Sequence, residues 1–319
     1  MRIRVFILLS LGIFSLHVVD AQEVRDTSLT VNFYGVADGL PNPDITAIFR
    51  DSFGLMWLGT DGGGLSYYDA SRFFNYYPNF QITDSLSNGN ITDIAEDSRH
   101  NIWLATQEGI SCWDRTSLKF RNYPILYNTR DGIDYKGALA LYVDEDDMIW
   151  VATMRGLLKF DGKTATQHWY DFPYILNQRN LYLPNKILKD KKGTIWVLVS
   201  GVLLSFDPER ETYNRLDASS YELGKTKLDI ITGFAFDRAN RLCISTLNAV
   251  YIYRDAINFP YMYPLPAVLR ASSFAMIEGF WLDCDDEPWV LYDGKMYCID
   301  RESSVWTCIR NIYTQSEKI

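Results

Sequence analysis

Ten residues of this chain combine the types and the placement needed to hold a polar ligand. Arg130, Asp131, Tyr135 and Lys136 crowd one segment, and Arg179 and Tyr182 another. Asp61, Glu108, Arg155 and Asp293 sit singly in short turns, in the company of Gln107 and Asn248. The first segment also carries Tyr127, Asn128 and Asp134, and the second Tyr174, Asn177, Gln178 and Asn180. Aromatic faces can stack on the apolar side of a sugar, while amides, guanidinium groups and carboxylates bond its hydroxyls. The chemistry suits an oligosaccharide or another small polar ligand. Catalysis is much less well served. Apart from His17 the histidines are His100 and His168. No nucleophile elbow, metal-binding histidine pair or phosphate-cradling glycine loop is present. Carboxylates discriminate nothing in a chain with 40 of them. The reading is a binder, not an enzyme, with no cofactor and no metal.

The elements that must position these residues repeat down the chain. A short pattern centred on Trp57 returns at Trp103, Trp150, Trp196, Cys243 and Trp289, at intervals of 46 or 47 residues. Each copy reads as four strands. Strand a alternates, as in Ile45, Ala47 and Phe49, and runs into an Asp-led tight turn that ends in Gly or Asn. Asp caps such a turn and Gly or Asn supplies its left-handed backbone. Strand b carries the Trp and a Thr or Ser. Strand c closes on an aromatic-Asp pair such as Trp113-Asp114 or Phe160-Asp161, and strand d is aromatic and polar. A period of about 40–50 residues built from short strands is the signature of a β-propeller. The fold class is therefore all-β, a propeller of four-stranded blades in one closed array with six recognisable repeats.

The strand count leaves a remainder. Val31 to Tyr34 resembles a strand d with its outgoing loop, yet Val305 to Ile309 already serves the last copy. The expectation is that the N-terminus supplies one strand of a seventh, incomplete blade. Propeller geometry puts the d–a loops and the b–c turns on one face. The d–a loops are long here, and long loops on a rigid scaffold carry binding residues.

Several residue types have a plainer role. The tryptophans recur on the same strand, which fits packing between blades better than sugar stacking. The turns at Asp144–Asp147 and Asp283–Glu287 offer fewer alternating oxygens than a calcium loop requires, so they read as turn caps. The five cysteines fall in or beside strands and read as small core residues, with a Cys298–Cys308 or Cys284–Cys298 bridge left open.

Arg2 and Arg4, the apolar run Val5 to Leu16 and a small residue at Ala21 read as a secretory signal over residues 1–21, with a retained anchor as the rival. Residues 22–319 then form one exported propeller domain, with no membrane insertion after signal removal. A net charge of −9 argues against nucleic acid or an anionic membrane as partner.

The motif Asp-x-x-Gly-x-Ile/Met-Trp-Leu/Ile/Val-Gly/Ala-Thr, preceded by Asn-x-Ile-Thr, stands at Asp51 to Leu65, Asp97 to Ile110 and Asp144 to Leu157. It resembles the two-component regulator propeller repeat, as do the openings Asp38 to Asn42 and Leu86 to Ile91. The resemblance extends from Val31 to Ile309 and is eroded in the last three copies, where Cys243 replaces Trp and Ser200-Gly201 shortens a turn. In that family such repeats form the periplasmic sensor of hybrid two-component systems, typically paired seven-bladed propellers followed by an immunoglobulin-like domain, a membrane span and a histidine kinase. Many recognise oligosaccharides. The resemblance implies a ligand sensor whose kinase lies outside this chain, a truncated or split sensor or a stand-alone relative, with a sensor kinase or a second propeller chain as partner. A protein-interaction module is the alternative, and a propeller lyase or hydrolase the lesser one.

Overall fold

A computed structural model of the chain describes residues 24–31, 34–126, 136–173, 184–216, 230–253, 260–266, 269 and 277–313, with backbone only for 24–31, 184 and 310–313. After β1 (Val24–Val31) come six antiparallel sheets, each four consecutive strands in sequence order. Sheet one is β2 (Ile45–Arg50), β3 (Met56–Thr60), β4 (Leu65–Tyr68) and β5 (Phe73–Tyr76). Sheet two is β6 (Ile91–Glu96), β7 (Ile102–Thr106), β8 (Gly109–Asp114) and β9 (Lys119–Tyr123). Sheet three is β10 (Ala140–Val143), β11 (Met148–Ala152), β12 (Gly156–Asp161) and β13 (Thr166–Asp171). Sheet four is β14 (Pro184–Lys189), β15 (Ile195–Val199), β16 (Val202–Asp207) and β17 (Thr212–Arg215). Sheet five is β18 (Ile231–Phe236), β19 (Leu242–Thr246), β20 (Ala249–Ile252) and β21 (Tyr261–Pro264). Sheet six is β22 (Ile277–Leu282), β23 (Pro288–Tyr292), β24 (Lys295–Ile299) and β25 (Trp306–Tyr313).

Two compact units result, one holding sheets one to four within Ser28–Asp217, the other sheets five and six within Ala218–Ile309. In the first, β2, β6, β10 and β14 follow one another side by side; in the second, β18 lies beside β22. This is the blade arrangement of a β-propeller, with each sheet's first strand innermost.

The N-terminal strand differs from expectation in position and partner. It spans Val24–Val31, not Val31 to Tyr34, and it pairs with β25 as the fifth strand of sheet six. No seventh sheet occurs among the described residues. The segment is rich in Val and Thr, and it covers an outer edge that would otherwise present unpaired N–H and C=O groups.

The Asp-led turns and the tryptophans prove to be one device. Asp51 accepts Phe53 N and Leu55 N through Oδ1, and Trp57 Nε1 donates to its Oδ2 at 2.9 Å. The same indole bond recurs as Trp103 to Asp97 (2.9 Å), Trp150 to Asp144 (3.0 Å), Trp196 to Asp190 (3.0 Å) and Trp289 to Asp283 (2.8 Å). These carboxylates cap their turns and hold the indoles. Three of these indoles also pack on the aromatic that ends strand c of the next sheet. Ring centroids are 5.0 Å apart for Trp57 and Trp113, 6.0 Å for Trp103 and Phe160, and 6.2 Å for Trp150 and Phe206. Burial of such pairs supplies most of the stabilisation between blades.

Sheet five lacks the Trp, and the structure shows what replaces it. Asp237 accepts Arg241 Nε at 2.6 Å and Arg301 Nη1 at 3.2 Å in place of an indole. The next sheet's strand-c residue is Ile299, fully buried with Cys243 in one core cluster. Loss of the large ring on one side is thus matched by loss of the aromatic on the other.

All five cysteines are free thiols. Cys298 lies opposite Thr307 and Cys308 opposite Tyr297. Neighbouring positions on paired strands point to opposite faces, so Cys298 and Cys308 cannot meet.

Candidate functional site

In sheets one, two, three and five the b–c turn and the d–a loop meet at one end, tied by backbone hydrogen bonds. Gly64 N donates to Gly89 O at 3.0 Å, Ala138 N to Thr106 O at 2.9 Å, Phe172 N to Arg155 O at 2.9 Å and Leu265 N to Asn248 O at 2.8 Å. The turns are tight because their Thr folds back on them. Thr60, Thr106 and Thr153 each donate Oγ1 to the carbonyl of the following Gly, at 2.8, 3.0 and 3.0 Å. Gly109 illustrates why that residue is Gly: its φ is +124°, and a Cβ would stand 2.5 Å from Tyr123 O.

Of the sequence-derived candidates, Asp61, Glu108 and Asp293 are exposed on these turns, Arg155 is half-buried on the equivalent turn of sheet three, and Lys136 is exposed at the end of a d–a loop. Arg130, Asp131, Tyr135, Arg179 and Tyr182 lie outside the described residues. Asn90 Nδ2 donates to Gln107 Oε1 at 2.7 Å, which ties that turn to the adjoining loop. Asn42 Nδ2 bonds Asp61 O at 2.6 Å, so the turn bearing Asp61 is anchored.

The loops also clamp the outer edge of the blade they lead into. Asn75 Nδ2 donates to Gly39 O (2.9 Å), Asn122 Nδ2 to Ser85 O (2.8 Å) and Gln167 Nε2 to Pro124 O (2.8 Å). On the inner side, β2, β6, β14, β18 and β22 all carry a bulge at their second residue. At two of these bulges a Thr crosses to the next sheet, Thr46 Oγ1 to Ile91 O and Thr92 Oγ1 to Ala138 O, the latter at 2.9 Å. This gives the Thr of the Ile-Thr pair its role.

The residue after the bulge occupies the same place in every repeat: Ala47, Asp93, Ala140, Lys186, Gly233 and Gly279. Four are small and two are charged. Asp93 Oδ1 accepts Ile94 N and its Oδ2 accepts Leu141 N of β10, both at 2.9 Å. Burial raises its carboxyl pKa to about 6 against these bonds and the nearby Lys186 ammonium. Burial lowers the Lys186 pKa, and Asp93 opposes the shift. Both side chains still keep part of their surface in solvent. Sequence reasoning missed this pair, although lining up the six repeats would have shown two charges in a small-residue column.

The opposite end holds an arrangement that resembles a catalytic relay and is not one. Ser52 Oγ lies 2.7 Å from Glu96 Oε1 and 2.9 Å from His100 Nδ1, and the same Nδ1 lies 3.1 Å from Glu96 Oε1. A relay needs the acid on one imidazole nitrogen and the nucleophile on the other. Here both share one nitrogen, and the group serves to join sheets one and two. His168 is exposed, with Nε2 3.7 Å from Glu211. Among the described residues no three His, Cys, Asp or Glu side chains are grouped to hold a metal ion, and no helix is long and apolar enough to cross a membrane.

Comparison with known proteins agrees with this geometry. Residues 39–62 and 85–108 match the family described as two-component regulator propeller. Among solved structures it is similar to the extracellular domain of a protein named as a hybrid two-component system, BT4673, from B. thetaiotaomicron. The two share 20% identity with a TM-score of 0.67, over 84% of this chain and 36% of that one. The chain thus spans about a third of that structure's length. A streptogramin B lyase is similar at 13% identity and TM-score 0.65, over 87% and 86% of the two chains. PorZ, a surface component of the type-IX secretion system of Porphyromonas gingivalis, is similar at 14% identity and TM-score 0.61, over 91% and 44%. At these identities the likeness establishes the fold alone. No curated protein matches the chain.

Proposed function

We propose that this chain is the ligand-sensing propeller of a two-component system, exported by a signal over residues 1–21 and acting in the periplasm. It binds an oligosaccharide at the end of the blades where b–c turns and d–a loops meet. It passes the signal to a histidine kinase. The observation that carries the reading is that backbone bonds tie the described ends of those loops to b–c turns in sheets one, two, three and five, and these turns carry Asp61, Glu108 and Arg155. The two-component regulator propeller repeats and the likeness to an extracellular sensor domain support the same class.

Titration calorimetry of the purified chain against a panel of oligosaccharides tests it. Saturable binding to a member of the panel is expected, weakened when Arg130 and Arg179 are replaced together by Ala. Unchanged binding in that double variant removes the loop face as the site. A second reading, a protein-interaction module, is favoured by the bare side chains of Phe80 (88% exposed) and Leu126 (70%) in the same loops. Concentration-dependent association without sugar binding would support that reading instead.

A further inference from the structure

We propose that this chain self-associates head to tail, an uncovered face of sheet one in one copy packing on an uncovered face of sheet six in the next. The proposal does not depend on what ligand the loops bind. It starts from a rule that the blades obey. In sheets two, three and four, three positions pack on the sheet before. In sheet two they are Ile94, Ile102 and Trp113, gathered in one core cluster with Ala47, Trp57 and Leu65 of sheet one. In sheet four they are Ile187, Ile195 and Phe206, gathered with Trp150, Ala152 and Leu157 of sheet three. Matching registers of strands a, b and c put the three on one face of each sheet.

Sheet one departs from the rule. Its residues at these positions are Ile48, Met56 and Tyr68. Ile48 is 68% exposed, whereas its counterparts Ile94, Leu141, Ile187, Phe234 and Phe280 are at most 7% exposed. Met56 is 36% exposed, against 5% or less at Ile102, Ile149, Ile195 and Leu242. Tyr68 is half-buried, where Trp113, Phe160, Phe206 and Ile299 are buried. Sheet six departs on the opposite face, the one that in earlier sheets receives those side chains. Trp289 keeps part of its surface in solvent, whereas Trp57, Trp103, Trp150 and Trp196 are buried. Trp281, opposite it on β22, is 37% exposed. Leu291 and Met296 are half-buried at the places where sheet two has the buried Ala105 and Ile110.

The chain therefore carries both halves of the junction that it repeats elsewhere, each uncovered. Large apolar side chains left in solvent at positions the fold otherwise buries mark an interaction surface. Charge agrees with the pairing. At the first junction the end of strand a meets the a–b turn of the sheet before, where Glu96 accepts Ser52 N at 2.8 Å and Ser52 Oγ at 2.7 Å. Sheet one has the exposed Arg50 in place of Glu96, and sheet six has Cys284-Asp285 in place of Ser52-Phe53. The Asp285 side chain is exposed. An arginine thus meets an acidic turn, a pairing that like face on like does not gain. The contact uses a different patch on each copy, so it builds closed rings or open strings of copies.

The test is sedimentation velocity of the full chain over about a hundredfold range of concentration. The mean mass should rise with concentration. Ile48→Glu and Trp281→Glu should each weaken association about tenfold or more. An equimolar mixture of these two variants should give dimers and nothing larger, because each supplies the face the other lacks. Exposed charges cover the case of a misfolded apolar variant: Arg50→Glu and Asp285→Arg should each weaken association, and the chain carrying both should recover it. A monomer throughout the range overturns the proposal, whatever else covers the two faces. Undiminished association of the Trp281→Glu variant alone shows a like-on-like contact and also overturns it. So does association that survives Ile48→Glu and is lost with Phe80→Ser, which assigns it to the loops.

Discussion

Replacing Arg115 by Met should expose how adjacent blades are held. Arg115 stands in the c–d turn of sheet two and reaches back to the a–b turn of sheet one, where its Nη2 lies 2.6 Å from Asp51 Oδ2. The Asp51 side chain is fully buried and that of Arg115 is 21% exposed. The guanidinium also lies over Phe53, 4.5 Å from the ring centroid, and over Trp113 at 5.5 Å. A charged hydrogen bond in such a place contributes roughly 1.5–3 kcal/mol, and a partly exposed cation–π contact about 0.5–1. The variant should therefore lose about 2–4 kcal/mol near pH 7, measured by urea unfolding. The two parts separate by pH. Burial pushes the Asp51 carboxyl up, but the Trp57 indole, Arg115 and Leu55 N together hold it below its ordinary value. Its contribution is then complete above the unfolded pKa of about 3.9 and fades as pH falls through the lower folded value. The gap between wild type and variant should narrow below about pH 4 towards the cation–π remainder of about 1 kcal/mol. An equal gap at both pH values, or none near neutrality, would show that the ion pair does not join the blades.

Other outcomes follow from the same geometry. Cys243→Trp should destabilise by roughly 1–3 kcal/mol despite restoring the repeat, because Arg301 Nη2 lies 3.9 Å from Cys243 Sγ where the indole must go; thermal unfolding checks it. Thr92→Val should cost about 0.5–1.5 kcal/mol by removing the bond to Ala138 O, read as a shift in urea midpoint with unchanged slope. In a thiol-reagent time course Cys284, the exposed thiol, should react first; Cys112 and Cys243, whose pKa burial raises to about 12, should wait for denaturant. Gly109→Ala should lower stability by about 1–3 kcal/mol, since the backbone must leave φ +124° or Tyr123 O must move, and chemical unfolding would report it.

The blade architecture was legible because each repeat carries its own punctuation. Asp51, Asp97 and Asp144 announce the turns, and the tryptophans mark strand b, so both could be placed by spacing alone. That Asp and Trp form one hydrogen-bonded unit was not legible, since it depends on a strand register that brings an indole six residues away back over the turn. The N-terminal strand was misplaced for a different reason. The strand-d-like run Val31-Asn32-Phe33-Tyr34 outweighed a Val- and Thr-rich stretch just upstream, and an edge position is set by which partner has a vacancy, a property of the assembled sheet. The turn residues Asp61, Glu108 and Asp293 were placed correctly because b–c turns follow directly from strand order. Asp93 and Lys186 escaped notice because each looks like an ordinary strand residue until it is compared with its counterparts one repeat away.

Several of the bonds that join neighbouring blades share a property. Ser52 N to Glu96, Ser98 N to Asp147 and Arg238 N to Asp286 link residues 44, 49 and 48 apart, and Thr92 to Ala138 spans 46. Each reaches about one repeat and no further. A chain emerging from the ribosome can therefore complete each blade interface as soon as the next repeat appears, without waiting for distant sequence. The pairing of β1 with β25 breaks that rule. Residues 24–31 can pair only once residues 306–313 have been made, so this contact should form later than the local ones.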